Sequence, residues 1–497
     1  MRASVAERPN ILIFMTDQER ADVVTPAHPC QTPNADRLAR EGIRFTQAYT
    51  PVAHCCPSRA TFMTGLYPSR HGVFNNVLTP TAIHYGLNAG VITFSELLRE
   101  SGYELTLCGK WHVSAEENPA DRGWHERALT AVKGTAHHRH IDQWRHGPMR
   151  TDSSGGERPR GHIQRPGWGD FVVYKALLDG GPKGYEDLHD YQVVQAAVDE
   201  LDKLTAQERP WCLFVGPVGP HDPFNVPERF VRMYDPATIQ LPASYADTLE
   251  DKPRLYQRQR RQLWDQLGED EVRESIAHYW AYCTLEDALL GEVLDALDAS
   301  GQAADTLVIF LSDHGDYCGD HGLYLKGAPA FREAYHIPCI MRWPNGIASP
   351  GRTVDEFITL ADFAPTFLEL ASVAAPPNLS GRSLAPFLHG ETPADWPDAV
   401  YTQFNGVELY YTQRSVTTRE YKYVYNGFDF DELYDLHNDP HELVNRAADP
   451  AYQALKHELV RKMWRFAAQE NDMIFNPYGT VALAPWGPSD ALAEDTQ

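Results

Sequence analysis

Four short, largely apolar runs punctuate this sequence, and each stops at residues that chemistry uses. They lie at residues 10–15, 103–108, 211–216 and 306–311. Continuous apolarity over so few residues fits strands covered on both faces, as in a parallel sheet flanked by helices. Helical periodicity falls between the runs, at residues 33–41, 94–101, 191–205 and 276–300. Alternating strand and helix predicts an α/β domain with a large, mostly parallel mixed sheet sandwiched by helices. The runs end on Asp17-Gln18, Lys110-Trp111-His112, His221-Asp222 and Asp313-His314. Ligand sites in open α/β sheets lie just beyond the carboxyl ends of the strands. Four strand ends carrying polar groups to one edge predict a single site there.

The 497 residues, 43% of them hydrophobic, suffice for a large core and a smaller second unit. The pattern predicts a catalytic domain over residues 1–390, with an insertion at about 133–185, and a C-terminal subdomain over 391–497. In the latter, residues 399–404, 409–416 and 421–425 read as antiparallel strands rich in Tyr and Thr. A helix follows at about 452–469, with Leu455, Leu459, Met463 and Phe466 as its core-facing stripe. The tail beyond Asn471 carries Met473, Ile474, Phe475, Tyr478 and Trp486 without helical period, which suggests docking and a possible homo-oligomer contact.

A formal charge of −24 disfavours nucleic acid and anionic membranes as partners. Positive charge for an anionic substrate must therefore be concentrated locally. One basic island exists, at residues 133–170, with His137, His138, Arg139, His140, Arg145, His146, Arg150, Arg158, Arg160, His162 and Arg165. It reads either as a solvated insertion or as a loop lining the pocket and favouring a second anionic group. No run reaches membrane-spanning length, and residues 1–9 lack the apolar core of a secretory leader. The eight cysteines show neither CxxC spacing nor a disulfide pattern, so a reduced, cytoplasmic protein is expected.

One of those cysteines heads the run Cys55-Cys56-Pro57-Ser58-Arg59, followed by Thr64-Gly65. Pro57 and the apolar residues after it place Cys55 at a helix N-terminus, which favours negative charge. The run resembles the signature at which sulfatases oxidise cysteine to formylglycine. Further motifs extend the resemblance along nearly the whole chain: Arg70-His71-Gly72, Gly109-Lys110-Trp111-His112, Gly219-Pro220-His221-Asp222, Ser312-Asp313-His314-Gly315-Asp316, Leu325-Lys326-Gly327, Glu432-Leu433-Tyr434-Asp435-Leu436 and Asp439-Pro440-His441-Glu442. The chain is thus similar to formylglycine-dependent sulfatases of the alkaline phosphatase superfamily.

The resemblance implies a sulfuric ester hydrolase whose Cys55, as an aldehyde hydrate, attacks a small-molecule or saccharide sulfate ester. It implies a maturation enzyme that makes the formylglycine, and one divalent cation held by Asp17, Gln18, Cys55, Asp313 and His314. Hard oxygen ligands favour Ca2+ or Mg2+. His314, where many sulfatases carry Asn, also admits Mn2+ or Zn2+. By the same resemblance Arg59 holds the diol oxygen and Lys110 binds sulfate or the diol. His112 removes the proton whose loss expels sulfate, and His221 with Lys326 protonates the departing alcohol. Asn76 would contact the sulfate, with Asn75 as the competing choice. Cys56 reads as a packing residue. The runner-up activity is a phosphonate monoester hydrolase or phosphodiesterase with the same nucleophile, against which the Lys110-x-His112 pair argues. A two-metal phosphatase or phosphomutase would need further His and Asp residues that the chain lacks.

Overall fold

The four apolar runs become four adjacent parallel strands. In the computed structural model, which describes residues 8–79, 81–130, 158–165, 169–178, 185–407, 409–427, 429–483 and 485–488, they are β1 (Asn10–Thr16), β3 (Glu104–Lys110), β8 (Trp211–Gly216) and β10 (Thr306–Ser312). Together with β2 (Ile43–Tyr49), β4 (His125–Thr130), β11 (Cys339–Arg342) and β12 (Arg352–Thr359) they form an eight-stranded sheet. Its order is β12-β2-β11-β10-β1-β8-β3-β4. Among the described strands of this sheet only β11 runs antiparallel to its neighbours. This is the large mixed, mostly parallel sheet expected from the sequence.

Both faces of the central strands are buried, which is why their sequences do not alternate. Leu12 and Phe14 of β1 enter a core shared with the His189–Thr205 and Glu269–Ala299 helices. Ile11, Ile13 and Met15 enter a second core, shared with the Cys55–Thr64, Phe94–Glu100 and Phe363–Leu370 helices. Each such side chain contributes about 1.5–3 kcal/mol through burial. The longest helix begins seven residues before the position its apolar pattern suggests. Its first turn, Glu269-Asp270-Glu271, is acidic and has no stripe to read, but it complements the positive helix N-terminus.

The pairing of β1 with β10 is in step from Asn10 opposite Thr306 to Thr16 opposite Ser312. The next residues, Asp17 and Asp313, therefore leave the sheet side by side, and the Asp313 amide donates to the Thr16 carbonyl at 3.3 Å.

The C-terminal part carries an antiparallel sheet of β13 (Ala399–Gly406), β14 (Tyr410–Thr418), β15 (Tyr421–Asn426) and β16 (Glu432–Asp435), in that order. The Gln453–Gln469 helix covers it, burying Leu459, Val460, Met463, Trp464 and Ala467. Leu455 and Phe466, expected in the stripe, are only partly buried. The stripe is turned toward Trp464, whose ring packs 5.7 Å from that of Tyr425. The tail docks on this same sheet. Asp472 is buried against Arg414 and accepts the Tyr401 hydroxyl at 2.7 Å, and Ile474, Phe475 and Trp486 pack beside it. Met473 and Tyr478 stay exposed.

A hairpin of β5 (His162–Arg165) and β6 (Gly169–Val172) leads into β7 (Tyr174–Leu177). That strand pairs in parallel with β9 (Phe224–Pro227), just after His221. All eight cysteines are free and buried. Among the described residues no helix is long and apolar enough to cross a membrane.

Phe62 ties the second core together, with its ring 5.3–6.2 Å from those of Phe94, Phe214, Phe363 and Phe367. Phe62→Ala is expected to cost about 3–5 kcal/mol in denaturant unfolding, with the denaturant dependence unchanged.

Candidate active site

Cys55 is the first residue of a helix that is buried along its whole length, Cys55–Thr64. Pro57 sits in the first turn, where a missing amide hydrogen removes no helical bond. The polar residues of this helix satisfy themselves locally. Ser58 donates to the Val52 carbonyl, Thr61 to Pro57 and Thr64 to Ala60, at 2.5, 2.8 and 2.7 Å. Gly65 ends the helix in the left-handed conformation (φ 71°), donating to the Thr61 carbonyl at 2.8 Å. Burial alone would raise the Cys55 thiol pKa, but Lys110, Lys326 and His314 outweigh it and hold the group well below the usual thiol range. Cys56 differs entirely: burial pushes its thiol up, and its sulfur accepts the Val77 amide at 3.4 Å. It is a packing residue, as expected.

Around Cys55 the strand ends deliver a compact donor set. Ligand atoms of Asp17, Cys55, Asp313 and His314 all lie within 4.8 Å of one another, and all four residues are buried. The Cys55 sulfur is 3.2 Å from His314 Nε2 and 3.6 Å from Asp17 Oδ1. His314 Nδ1 bonds the Gly315 carbonyl at 2.9 Å, which sets the tautomer and turns the lone pair of Nε2 into the cluster. Two carboxylates, an imidazole nitrogen and the residue-55 side chain, buried and converging, fit a divalent cation.

Fixed positive charge balances the cluster. Arg59 Nε donates to Asp313 Oδ2 at 2.8 Å, and its Nη1 to the Lys110 carbonyl at 3.0 Å. Its Nη2 is buried with no hydrogen-bond partner, 3.6 Å from Asp17 Oδ2. Lys110 pairs with Asp17. Burial and Cys55 push the Asp17 carboxyl up, but Lys110, His221 and Arg59 carry it well below the ordinary carboxylate range. Lys110 reaches Asp17 because Gly109, at φ 96°, lets β3 lie against β8; a Cβ there would fall 2.2 Å from the Gly216 carbonyl.

His112 and His221 both stand beside Cys55. Burial and Lys110 lower the His112 pKa to about 4, so this imidazole is neutral near pH 7. Burial and Lys326 depress His221, but Asp222 and Asp17 outweigh them and lift it to about 9. Lys326 Nζ lies 2.6 Å from His221 Nε2, so the two groups are in direct contact.

Gln18 lies beside the cluster. Its amide donates to Asp313 Oδ1 at 3.2 Å, its Oε1 accepts from Lys326, and its Nε2 donates to Asp316 and to Asp222. Asp222 and Asp316 were not singled out from the sequence. They follow His221 and His314 closely in the motifs, but only the fold brings both to the Gln18 carboxamide. Of the two asparagines, Asn76 accepts the Cys56 amide at 3.1 Å through Oδ1. Asn75 is spent on a turn, bonding Thr81 at 2.8 Å and Ile83 at 2.9 Å.

The basic island is partly accounted for. Its residues 133–157, including Arg139, Arg145 and Arg150, lie outside the described residues. Arg158 and Arg160 pair with Glu271 and Glu274, and His162 with Asp170. Arg165 lies 3.5 Å over the Phe171 ring and contributes to lowering the Asp222 pKa.

Comparison with known proteins agrees with this geometry. The "Sulfatase" family profile matches residues 9–373, and "N-sulphoglucosamine sulphohydrolase, C-terminal" matches residues 319–469. The chain is 30% identical to a choline-sulfatase of Rhizobium meliloti, over 89% of this chain and 83% of that protein. It is 28% identical to the uncharacterized sulfatase YidJ of Escherichia coli, over 97% and 91%. A crystal structure of the phosphonate monoester hydrolase of Agrobacterium radiobacter superimposes with a TM-score of 0.75 at 27% identity, covering 93% of this chain and 96% of that one. With this coverage, and with the motif residues gathered at one sheet edge, the chain belongs to the sulfatase family of the alkaline phosphatase superfamily, hydrolases acting on sulfuric ester bonds.

Proposed function

We propose that this protein is a formylglycine-dependent, metal-assisted sulfatase that cleaves a sulfate monoester to an alcohol and inorganic sulfate. The carrying observation is Cys55 at a buried helix N-terminus, inside the Asp17, Asp313 and His314 donor set and facing Lys110, Lys326, His112 and His221. Oxidation of Cys55 by a maturation enzyme would supply an aldehyde hydrate, with one oxygen to attack sulfur and a second hydroxyl whose deprotonation releases sulfate. A divalent cation held by Asp17, Asp313, His314, residue 55 and the Gln18 carboxamide would polarise a sulfate oxygen and acidify the hydrate. Oxygen donors predominate in that set, so Ca2+ is the first choice, with Mg2+ or Mn2+ as alternatives.

The chain's own residues divide the remaining work. Arg59 neutralises Asp313 and points a spare N–H past Asp17 toward residue 55. Lys110 balances Asp17 and offers charge to a sulfate oxygen. Asn76, with Oδ1 engaged on the Cys56 amide, has its side-chain N–H groups for the same anion. His112, neutral at working pH, accepts the proton from the second hydroxyl. The proton shared by His221 and Lys326 goes to the bridging oxygen as the alcohol leaves. The charged neighbours Asp222 and Arg165 lie near His221, which suits a polar small-molecule or saccharide alcohol.

A phosphonate monoester hydrolase or phosphodiesterase is the second reading, favoured by the structural likeness to the Agrobacterium enzyme and by the Gln18 and His314 donors. The rate constants kcat/KM for p-nitrophenyl sulfate and for a phenylphosphonate monoester decide between them. The sulfatase reading expects the former to be larger.

Mass spectrometry of the Cys55 peptide, from protein made with a maturation enzyme, is expected to show aldehyde in place of thiol. Cys55→Ser is expected to lose nearly all aryl sulfatase turnover; fully active enzyme with an unmodified thiol would refute the mechanism. Because the His221 pKa is raised to about 9, its proton is present below that pH and lost above it. Turnover of an alkyl sulfate should therefore fall as pH rises through about 9, and less steeply for an aryl sulfate with a good leaving group. His221→Ala should remove that limb and cost about 10²–10⁴-fold on the alkyl ester. Chelation with EGTA or EDTA should lower both Tm and activity, Ca2+ should restore both, and Asp313→Asn should abolish the Ca2+-dependent rise in Tm.

A further inference from the structure

We propose that a second cleft, behind the active-site wall, binds a small zwitterion: a molecule carrying an anionic group and an ammonium on one short skeleton. The cleft has a volume of about 560 Å3 and lies between the middle of β2, the start of β11, the Glu269–Ala299 helix at Ile276, Tyr279 and Trp280, and the short Arg332–Tyr335 helix. That volume lies in the range of small-molecule sites.

Most charges in its wall are already committed. Arg20 grips Asp22 through two nitrogens and reaches Asp320, and Arg44 bonds Asp36 and the Val24 carbonyl. Four groups remain. Arg332 forms no ion pair within 4 Å among the described residues and stands beside the Tyr49 hydroxyl. Glu333 Oε2 is buried with no hydrogen-bond partner. His28 Nδ1 accepts the Cys30 amide at 3.0 Å, so its Nε2 carries the hydrogen. His336 Nε2 donates to the Thr46 carbonyl at 2.9 Å, which leaves Nδ1 as an acceptor.

Arg332 and Glu333 are the decisive pair. They are consecutive, opposite in charge and on one cleft, yet they do not bond each other. An unmade hydrogen bond at a buried carboxylate costs about 1–3 kcal/mol. A ligand anion on Arg332 and an ammonium on Glu333 would complete both at once. Burial and the neighbouring Asp320 lift the Glu333 pKa to about 7, the setting in which an arriving cation is favoured. His28 adds a donor to the cleft wall, and His336 an acceptor for a hydroxyl or amine.

The cleft is separate from the sulfate-cleaving groups but shares their wall. The Tyr279 hydroxyl donates to the Gln18 carbonyl at 2.8 Å and accepts the Arg20 amide at 3.0 Å. The Cys318 amide donates to Asp316 Oδ1 at 2.6 Å. None of the cleft's four available groups belongs to the proposed catalytic set, so the site stands or falls independently of the sulfatase mechanism.

The test is calorimetry and thermal shift on the full-length protein with glycine, β-alanine and L-glutamine as probes, and acetate and methylamine as singly charged controls. At least one zwitterion is expected to bind, with both controls at least tenfold weaker. Glu333→Gln, which keeps the side-chain shape, and Arg332→Met should each weaken binding at least tenfold while leaving turnover of p-nitrophenyl sulfate unchanged. Should Arg332→Met fail to fold, Glu333→Gln alone carries the comparison. No binding of any zwitterion up to about 50 mM, or binding indifferent to Glu333→Gln, would overturn the proposal.

Discussion

Two aspartates emerging together from the centre of the sheet set the terms for everything around them. Asp17 and Asp313 follow β1 and β10 in step and enter a space from which water is excluded. Buried carboxylates are tolerable only when paired, and removing one partner of such a pair costs about 3–5 kcal/mol. Arg59 from the nucleophile helix and Lys110 from β3 supply that pairing. Four separate segments are thereby locked to one another by charge, and Cys55 is held where they meet.

A second layer fixes the histidines. Asp190 accepts the amides of Val218 and Gly219 at 2.7 and 3.0 Å and the Tyr282 hydroxyl at 3.1 Å, so the turn leaving β8 is pinned. Gly219 is hemmed in as well; a Cβ there would fall 2.2 Å from Glu286 Oε1. Its carbonyl accepts the Asp17 amide at 3.0 Å. The loop that presents His221 is thus tied to the residue that anchors the donor set. His221 and Cys55 are positioned by one continuous network rather than by independent loops.

Much of this was legible in the sequence. The apolar runs carried the strands because a strand buried on both faces needs no alternation, and their polar ends marked the site. The motif residues Asp17, Cys55, Lys110, His112, His221, Asp313, His314 and Lys326 come together at one sheet edge. Less legible were groups whose role depends on long-range proximity. Asp316 and Asp222 matter because the fold brings both to the Gln18 carboxamide. Asn75 and Asn76 are indistinguishable by spacing, and only their hydrogen bonds separate a turn residue from one that touches the nucleophile helix. The basic island promised a charged pocket, yet Arg158 and Arg160 neutralise the acidic start of the longest helix.

Residue type and spacing alone pointed to the α/β class and the family, because these depend on local periodicity and on contiguous motifs. Folding decided which charges oppose which, which tautomer His314 presents, that His221 and Lys326 meet, and which asparagine reaches the Cys55–Thr64 helix. It also left Arg332 and Glu333 side by side and unpaired in a cleft that no motif marks. Those outcomes depend on distances of a few ångströms between segments hundreds of residues apart, and electrostatic and hydrogen-bond energies change steeply over that range.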